Sequence, residues 1–288
     1  LPIALALSVV IAAPAWAHDT GVSHQEPPGW TFDPWIVVPL LVALGLFALG
    51  WRRLDARSNR GVDRLARRLR LFGMGWLILA AALVSPLHEA GERSFAAHMF
   101  EHELIMLAAA PLLVLSEPLV IMLWAFPAGG RRGIGAITTA RPIHAVWRYL
   151  SAPLAATLIQ AAALWLWHAP ALFDLALRSD GWHAAQHLSF LVSALFFWSA
   201  MLSRRTPIVV AALCLIVTSI VSGALGALMA FAISPWYSGY AQLGLSLYGL
   251  TPAEDQEVAG LLMWVPGGLV HAGAALLVMR RLLRPAHA

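Results

Sequence analysis

Seven apolar runs, at about residues 34–51, 71–88, 96–117, 151–168, 183–202, 207–231 and 256–279, constrain this chain more than any other feature. A helix of about 20 apolar residues crosses the hydrocarbon of a bilayer. Within that layer a helix satisfies its own backbone N–H and C=O groups, which an irregular segment facing lipid cannot do. The expected fold is therefore all-α, a polytopic membrane helical bundle of seven transmembrane helices occupying residues 34–288. With 60% of 288 residues hydrophobic and 12% charged, the chain is far from the balance of an ordinary soluble domain.

The nineteen basic residues are all arginine, and their placement reads as topology. Eight fall between the first and second runs, four between the third and fourth, two between the fifth and sixth, and three after the seventh. These connections lie on one side of a seven-span bundle, leaving only Arg93 and Arg178 on the other. The positive-inside rule then puts the C-terminus in the cytoplasm and the N-terminus outside, in a bacterial-type inner (plasma) membrane. The high pI of about 10 needs no nucleic-acid partner to explain it. The arginine-dense stretch from Arg52 to Arg70 suits anionic lipid headgroups.

LPIALALSVVIAAPAWAHD combines an apolar core with the small-x-small Ala15-Trp16-Ala17, the pattern of a signal-peptidase site. Residues 1–17 are expected to be a signal peptide and 18–33 a short external tail, in which His18 and His24 are a minor candidate for copper. Asp33-Pro34 and Thr251-Pro252-Ala253-Glu254 are helix openings, the second with the form of a capping box. Asp180-Gly181 is a candidate cap for the fifth span. Residues 232–255 form the longest external connection. Trp236, Tyr237, Tyr240 and Tyr248 suit an interfacial segment there, or a lid over a site beneath.

The topology sorts the histidines. His88 ends the second run, His98 and His102 begin the third, His168 ends the fourth, and His183 and His187 begin the fifth, so six of eleven fall at the outer ends of four consecutive spans. Side chains at i and i+4 share a helix face, so each HxxxH pair can direct two imidazoles at one ion, and Met106 continues the face of His98 and His102. The single cysteine, Cys214, rules out an intrachain disulfide and a CxxC metal cluster. Imidazoles with a nearby thioether suit copper, as Cu(I) or Cu(II), the thioether favouring Cu(I).

Other chemistries compete. His98-x-x-Glu101-His102 matches the HxxEH pattern, in which two histidines hold zinc and the glutamate activates water, so a membrane-embedded zinc hydrolase is one alternative. A b-type haem between facing histidines is another, although paired histidines at a helix mouth suit a compact ion better. A copper permease would call for a ladder of ligands through the bundle, which the runs lack. Glu101 itself reads either as a partner orienting an imidazole or as a polar residue at the interface. His271 and Glu117 are intramembrane ionisable groups, for which a buried hydrogen-bonded pairing and a transport role stand equal.

FAAHMFEHELIMLAAAPLLVLSEP, LWLWHAPALFDLALRSDGWHAAQHLSFLVSALFFW and EDQEVAGLLMWVPGGLVH together resemble the multi-spanning cytochrome c oxidase assembly factor family CtaG, from the second span through the seventh. The resemblance implies a role in assembling a haem-copper terminal oxidase, with copper delivery or insertion rather than catalysis. An oxidase subunit and an external copper carrier would be its partners, in addition to the bilayer. His98, His102, His168, His183 and His187 match the family's histidines, accompanied by Met106, Asp174, Asp255, Gln256, Met263 and Trp264. The expected metal ligands are His88, His98, His102, His168, His183, His187 and Met106. Glu101, Asp174, Asp255, Met263 and His271 are expected to orient those ligands or to form docking surface.

Overall fold

A computed structural model describes residues 27–57 and 62–282 of the chain; the signal-peptide expectation, His18 and His24 lie outside the described residues. The described residues contain helices and connections and no strand. Among the described residues five helices are long and apolar enough to cross a membrane: Pro34–Asp55 (α1), Phe95–Ser116, Asp180–Leu202 (α11), Ile208–Ala230 (α12) and Pro252–Leu282. Two bent pairs, Val62–Val84 (α2) with Pro86–Arg93 (α3) and Arg141–Leu150 (α8) with Pro153–Trp167 (α9), raise the count to seven if each is one span.

Prolines cause both bends. Pro86 and Pro153 sit at the first helical position of the second member of each pair, and proline drives the residue before it out of helical geometry. Ser85 is accordingly extended, and its hydroxyl accepts the Leu87 N–H at 3.3 Å. The resulting bend of 45° turns α3, and with it His88, away from the axis of α2. The second pair bends by 68°, so α8 departs from the line of α9 and has no buried residue; Ala128–Thr139 (α7) has none either. Part of the arginine-dense connection is helical, since α2 begins at Val62.

The Phe95–Ser116 rod changes pitch. Phe95–Glu103 (α4) gives way to a π-helical segment at Leu104–Ala109 and then to Ala110–Ser116 (α5). Pro111 has no N–H to continue the α-helical ladder, and the wider turn lies immediately before it. Trp198 Nε1 reaches into this segment and donates to the Met106 carbonyl at 2.8 Å. Beyond Ser116, Glu117 adopts left-handed geometry (φ 49°, ψ 54°) and breaks the rod before Pro118–Leu123 (α6).

Backbones also come close between α12 and Pro252–Met279 (α14). A Cβ at Gly260 would lie 2.5 Å from the Gly226 carbonyl oxygen, and one at Gly226 would lie 2.7 Å from that of Gly260. Small residues let membrane helices pack backbone to backbone in this way. The main core runs from this pair to α11 and α4 through Phe95, Met99, Phe190, Phe197, Met229 and Met263.

Candidate metal centre

The helix that carries His98 is opened by a carboxylate from another span. The first N–H groups of any helix lack intrahelical acceptors and attract negative charge. Asp255 of α14 supplies it: Oδ2 accepts the Phe95 N–H at 2.6 Å, and Oδ1 accepts the Ala96 N–H at 3.4 Å and the Ser94 hydroxyl at 2.8 Å. Ser94 in turn accepts the Ala97 N–H at 3.3 Å. Asp255 is held in the first turn of α14 by the Thr251–Glu254 capping box that the sequence suggested. Asp33 is the N-cap residue of α1 but makes no side-chain cap bond, and α11 is opened by Ser179 with Asp180 in its first turn.

Three elements then bring five imidazoles together. His88 comes from α3, His98 and His102 from α4, and His183 and His187 from α11. The rings of His88 and His183 stack with centroids 5.3 Å apart, and those of His98 and His183 stack at 5.2 Å. His102 meets His98 edge-on at 4.3 Å and His187 at 4.9 Å. Among them lies the carboxylate of Glu101, 0% exposed, with Oε1 2.7 Å from His88 Nδ1 and 3.8 Å from His187 Nδ1.

Hydrogen bonding leaves this cluster conspicuously open. Both ring nitrogens of His98 and of His102, Nε2 of His183, Nε2 of His187 and Oε2 of Glu101 are buried without a hydrogen-bond partner among the described residues. A buried polar atom left unsatisfied costs about 1–3 kcal/mol, so a native site rarely gathers several of them without a ligand to take them up. Among the described residues two sets of three donors have their ligand atoms within 4.8 Å of one another: His98, His183 and His187, and His88, Glu101 and His187. His187 belongs to both.

The remaining candidates lie elsewhere. His168 ends α9 and is bonded through Nδ1 to the Leu164 carbonyl at 2.6 Å, while Nε2 lies 3.3 Å from Met99 Sδ. Phe173 and Phe190 flank it, and the same two rings contact His98 and His102 respectively. Met106 sits within the π-helical segment, where the wider turn breaks the i, i+4 register with His102; its sulfur receives Gln160 Nε2 at 3.4 Å. Met263 is buried in the apolar core. His271 bonds the Gly267 carbonyl at 2.8 Å and stacks on Trp198 at 5.8 Å.

Asp174, in Pro170–Leu177 (α10), accepts the Ser238 hydroxyl at 2.6 Å and the N–H groups of Ser238 and Gly239, each at 3.3 Å. It thereby ties the long connection to the bundle at the start of Ser238–Gln242 (α13). That connection covers the histidine end. Tyr237, 2% exposed, stacks on Phe173 at 4.0 Å and donates to the His168 carbonyl at 3.0 Å; Tyr240 donates to the Gly91 carbonyl at 2.5 Å. These two tyrosines are thus buried, because carbonyls at the bundle mouth accept their hydroxyls, while Tyr248 remains 60% exposed as an interfacial residue would be.

Two residues escaped the sequence reading. Met99, within the quoted FAAHMFEH, is the methionine that meets an imidazole, although the i, i+4 pattern drew attention to Met106. Gln186 lies one turn from His183 on α11 and is 0% exposed. A polar residue inside the HAAQH pair was the available signal.

A multi-pass helical membrane protein with a buried histidine cluster gathered around one carboxylate is the class that this fold and site define. The chain belongs to the cytochrome c oxidase caa3 assembly factor family (Caa3_CtaG), which its sequence matches over residues 45–285. It is 29% identical over 206 residues to an uncharacterized protein of Mycobacterium bovis, covering 64% of this chain and 29% of that one, and to one of Mycobacterium tuberculosis with the same identity and coverage. The chain thus spans less than a third of the length of these curated relatives. No solved structure matches it.

Proposed function

We propose that the chain serves in the assembly of a haem-copper cytochrome c oxidase by holding copper at the imidazole cluster and passing it to an oxidase subunit. The observation that carries this reading is the set of buried ring nitrogens on His98, His102, His183 and His187 that have no hydrogen-bond partner among the described residues, next to the equally buried Glu101. Imidazole binds copper and zinc well, and without a thiolate in the cluster the ion remains exchangeable, as a cargo must be. Copper is the substrate of this process, reaching the cluster from the external side of the plasma membrane through an external copper carrier. The thioether of Met99 beside His168 offers a soft donor on the way out.

Family membership favours this reading over its alternatives. A zinc hydrolase of the HxxEH kind would use His98 and His102 on one ion, with Glu101 facing its water. Here Glu101 is engaged by His88 at 2.7 Å, and His102 stands outside both three-donor sets.

Elemental analysis of the purified full chain tests the proposal. After growth in copper and removal of loose metal, the wild type retains copper in preference to zinc and iron, and the variant His98→Ala with His187→Ala does not. Zinc at equal or greater stoichiometry, or copper retained by the double variant, contradicts it.

A further inference from the structure

The two three-donor sets are unlike in ways that matter for an ion in transit. His98, His183 and His187 offer nitrogen alone, and His183 is the one member of either set that is not fully buried. The other set, His88, Glu101 and His187, includes a carboxylate oxygen, and all three residues are buried, at 7%, 0% and 7% exposure. His187 Nδ1 lies 3.8 Å from Glu101 Oε1, whereas its Nε2 has no partner. The stacking of His183 on both His88 and His98 sets the two groups side by side.

We infer that the cluster provides two positions for a single copper ion, an exchange position at His98, His183 and His187 and a holding position at His88, Glu101 and His187, with His187 common to both. This rests on the copper reading above. Charge decides the occupancy. An ion removed from water needs a counter-charge nearby, and Glu101, which belongs to one set only, is the single carboxylate among the donors of the two. That one negative charge among the donors favours a single ion over two held a few ångströms apart.

Movement between the positions is ligand exchange without change of oxidation state. From the holding position, the bonds to His88 and Glu101 break as those to His98 and His183 form. His187 remains a ligand throughout, through whichever ring nitrogen faces the ion. In the holding position the ion is enclosed and sits beside the carboxylate of Glu101. In the exchange position it is reached past His183, the half-buried ligand, where an incoming donor can displace it.

Cu(II), supplied as a single equivalent to the full chain in detergent, is the probe. Electron paramagnetic resonance of the wild type is expected to show two overlapping signals, one all-nitrogen and one with oxygen among its ligands. Glu101→Gln keeps the equivalent of copper, loses the oxygen-containing signal and releases the ion to EDTA roughly tenfold faster. His183→Ala keeps only the oxygen-containing signal and releases the ion roughly tenfold more slowly. His187→Ala binds no stoichiometric copper. The inference is overturned if Glu101→Gln leaves spectrum and release unchanged, or if it loses copper as completely as His187→Ala. A wild-type protein that takes up no copper would instead sink the copper reading itself.

Discussion

The Asp255 carboxylate accepts the backbone N–H of Phe95 at 2.6 Å, joining the last span to the first turn of the helix that carries His98 and His102. The two residues are 160 positions apart in sequence. By taking up the N–H groups that open α4, Asp255 fixes both the rotation of that helix and the height at which its imidazoles stand. We expect Asp255→Ala to cost about 1–3 kcal/mol, the range for losing a helix cap and a charge-assisted bond together. Thermal unfolding in detergent measures the loss. Copper retention falls with it, because His98 loses its register, and Asp255→Asn, which keeps an acceptor, lies between.

Close backbone approach makes Gly226 and Gly260 sensitive to a single added carbon. A methyl at Gly260 meets the Gly226 carbonyl and the Ala230 backbone, so it must push α12 from α14. Gly260→Ala is expected to destabilise by about 1–3 kcal/mol, the usual range for overpacking. Gly273, on the same helix, has nothing within 4 Å of an added Cβ. Gly273→Ala should therefore be neutral or stabilising by up to about 1 kcal/mol. Similar unfolding midpoints for the two variants would refute this account of the contact.

Glu117 ends α5 in left-handed geometry, which costs a non-glycine residue about 1–2 kcal/mol. Its carboxylate pairs with Arg68, but the pair is exposed and contributes little. Glu117→Gly is thus expected to be as stable as the wild type or slightly more so, and Glu117→Val less stable by about 1–2 kcal/mol because a β-branched residue tolerates φ near +50° poorly. A large loss in Glu117→Gly would mean that the side chain matters for more than this turn.

Asp174 holds the connection that covers the histidine end. Asp174→Ala removes the acceptor for the Ser238 hydroxyl and for two N–H groups. Limited proteolysis between residues 232 and 251 should then be several-fold faster, as expected when a loop's local opening becomes cheaper by about 1–2 kcal/mol. Cleavage at the wild-type rate would show that Tyr237 and Tyr240 hold the loop by themselves.

Much of this architecture was legible in the sequence because lipid leaves few options. Long apolar runs had to be helices, and the placement of His88, His98, His102, His183 and His187 at the ends of neighbouring runs was enough to suggest that they meet. The i, i+4 rule failed at Met106 because it assumes an uninterrupted α-helix, and the π-helical segment ahead of Pro111 shifts the register. Glu101 could not be weighed from its own stretch, since its meaning depends on His88, which reaches it only because Pro86 bends the second span. The capping role of Asp255 and the fit of Gly226 to Gly260 are long-range contacts that no local pattern encodes. The number of spans among the described residues likewise depends on bends, five by straight helices and up to seven with the bent pairs.

Whether these histidines serve the metallation of an oxidase is read in the copper content of that oxidase. In cells lacking the native gene, the full-length protein or its His98→Ala, His187→Ala variant is expressed at equal level, and copper per haem is measured in the purified oxidase. A full complement of copper is expected with the wild type and a copper-deficient oxidase with the variant. Equal copper in the two would contradict it.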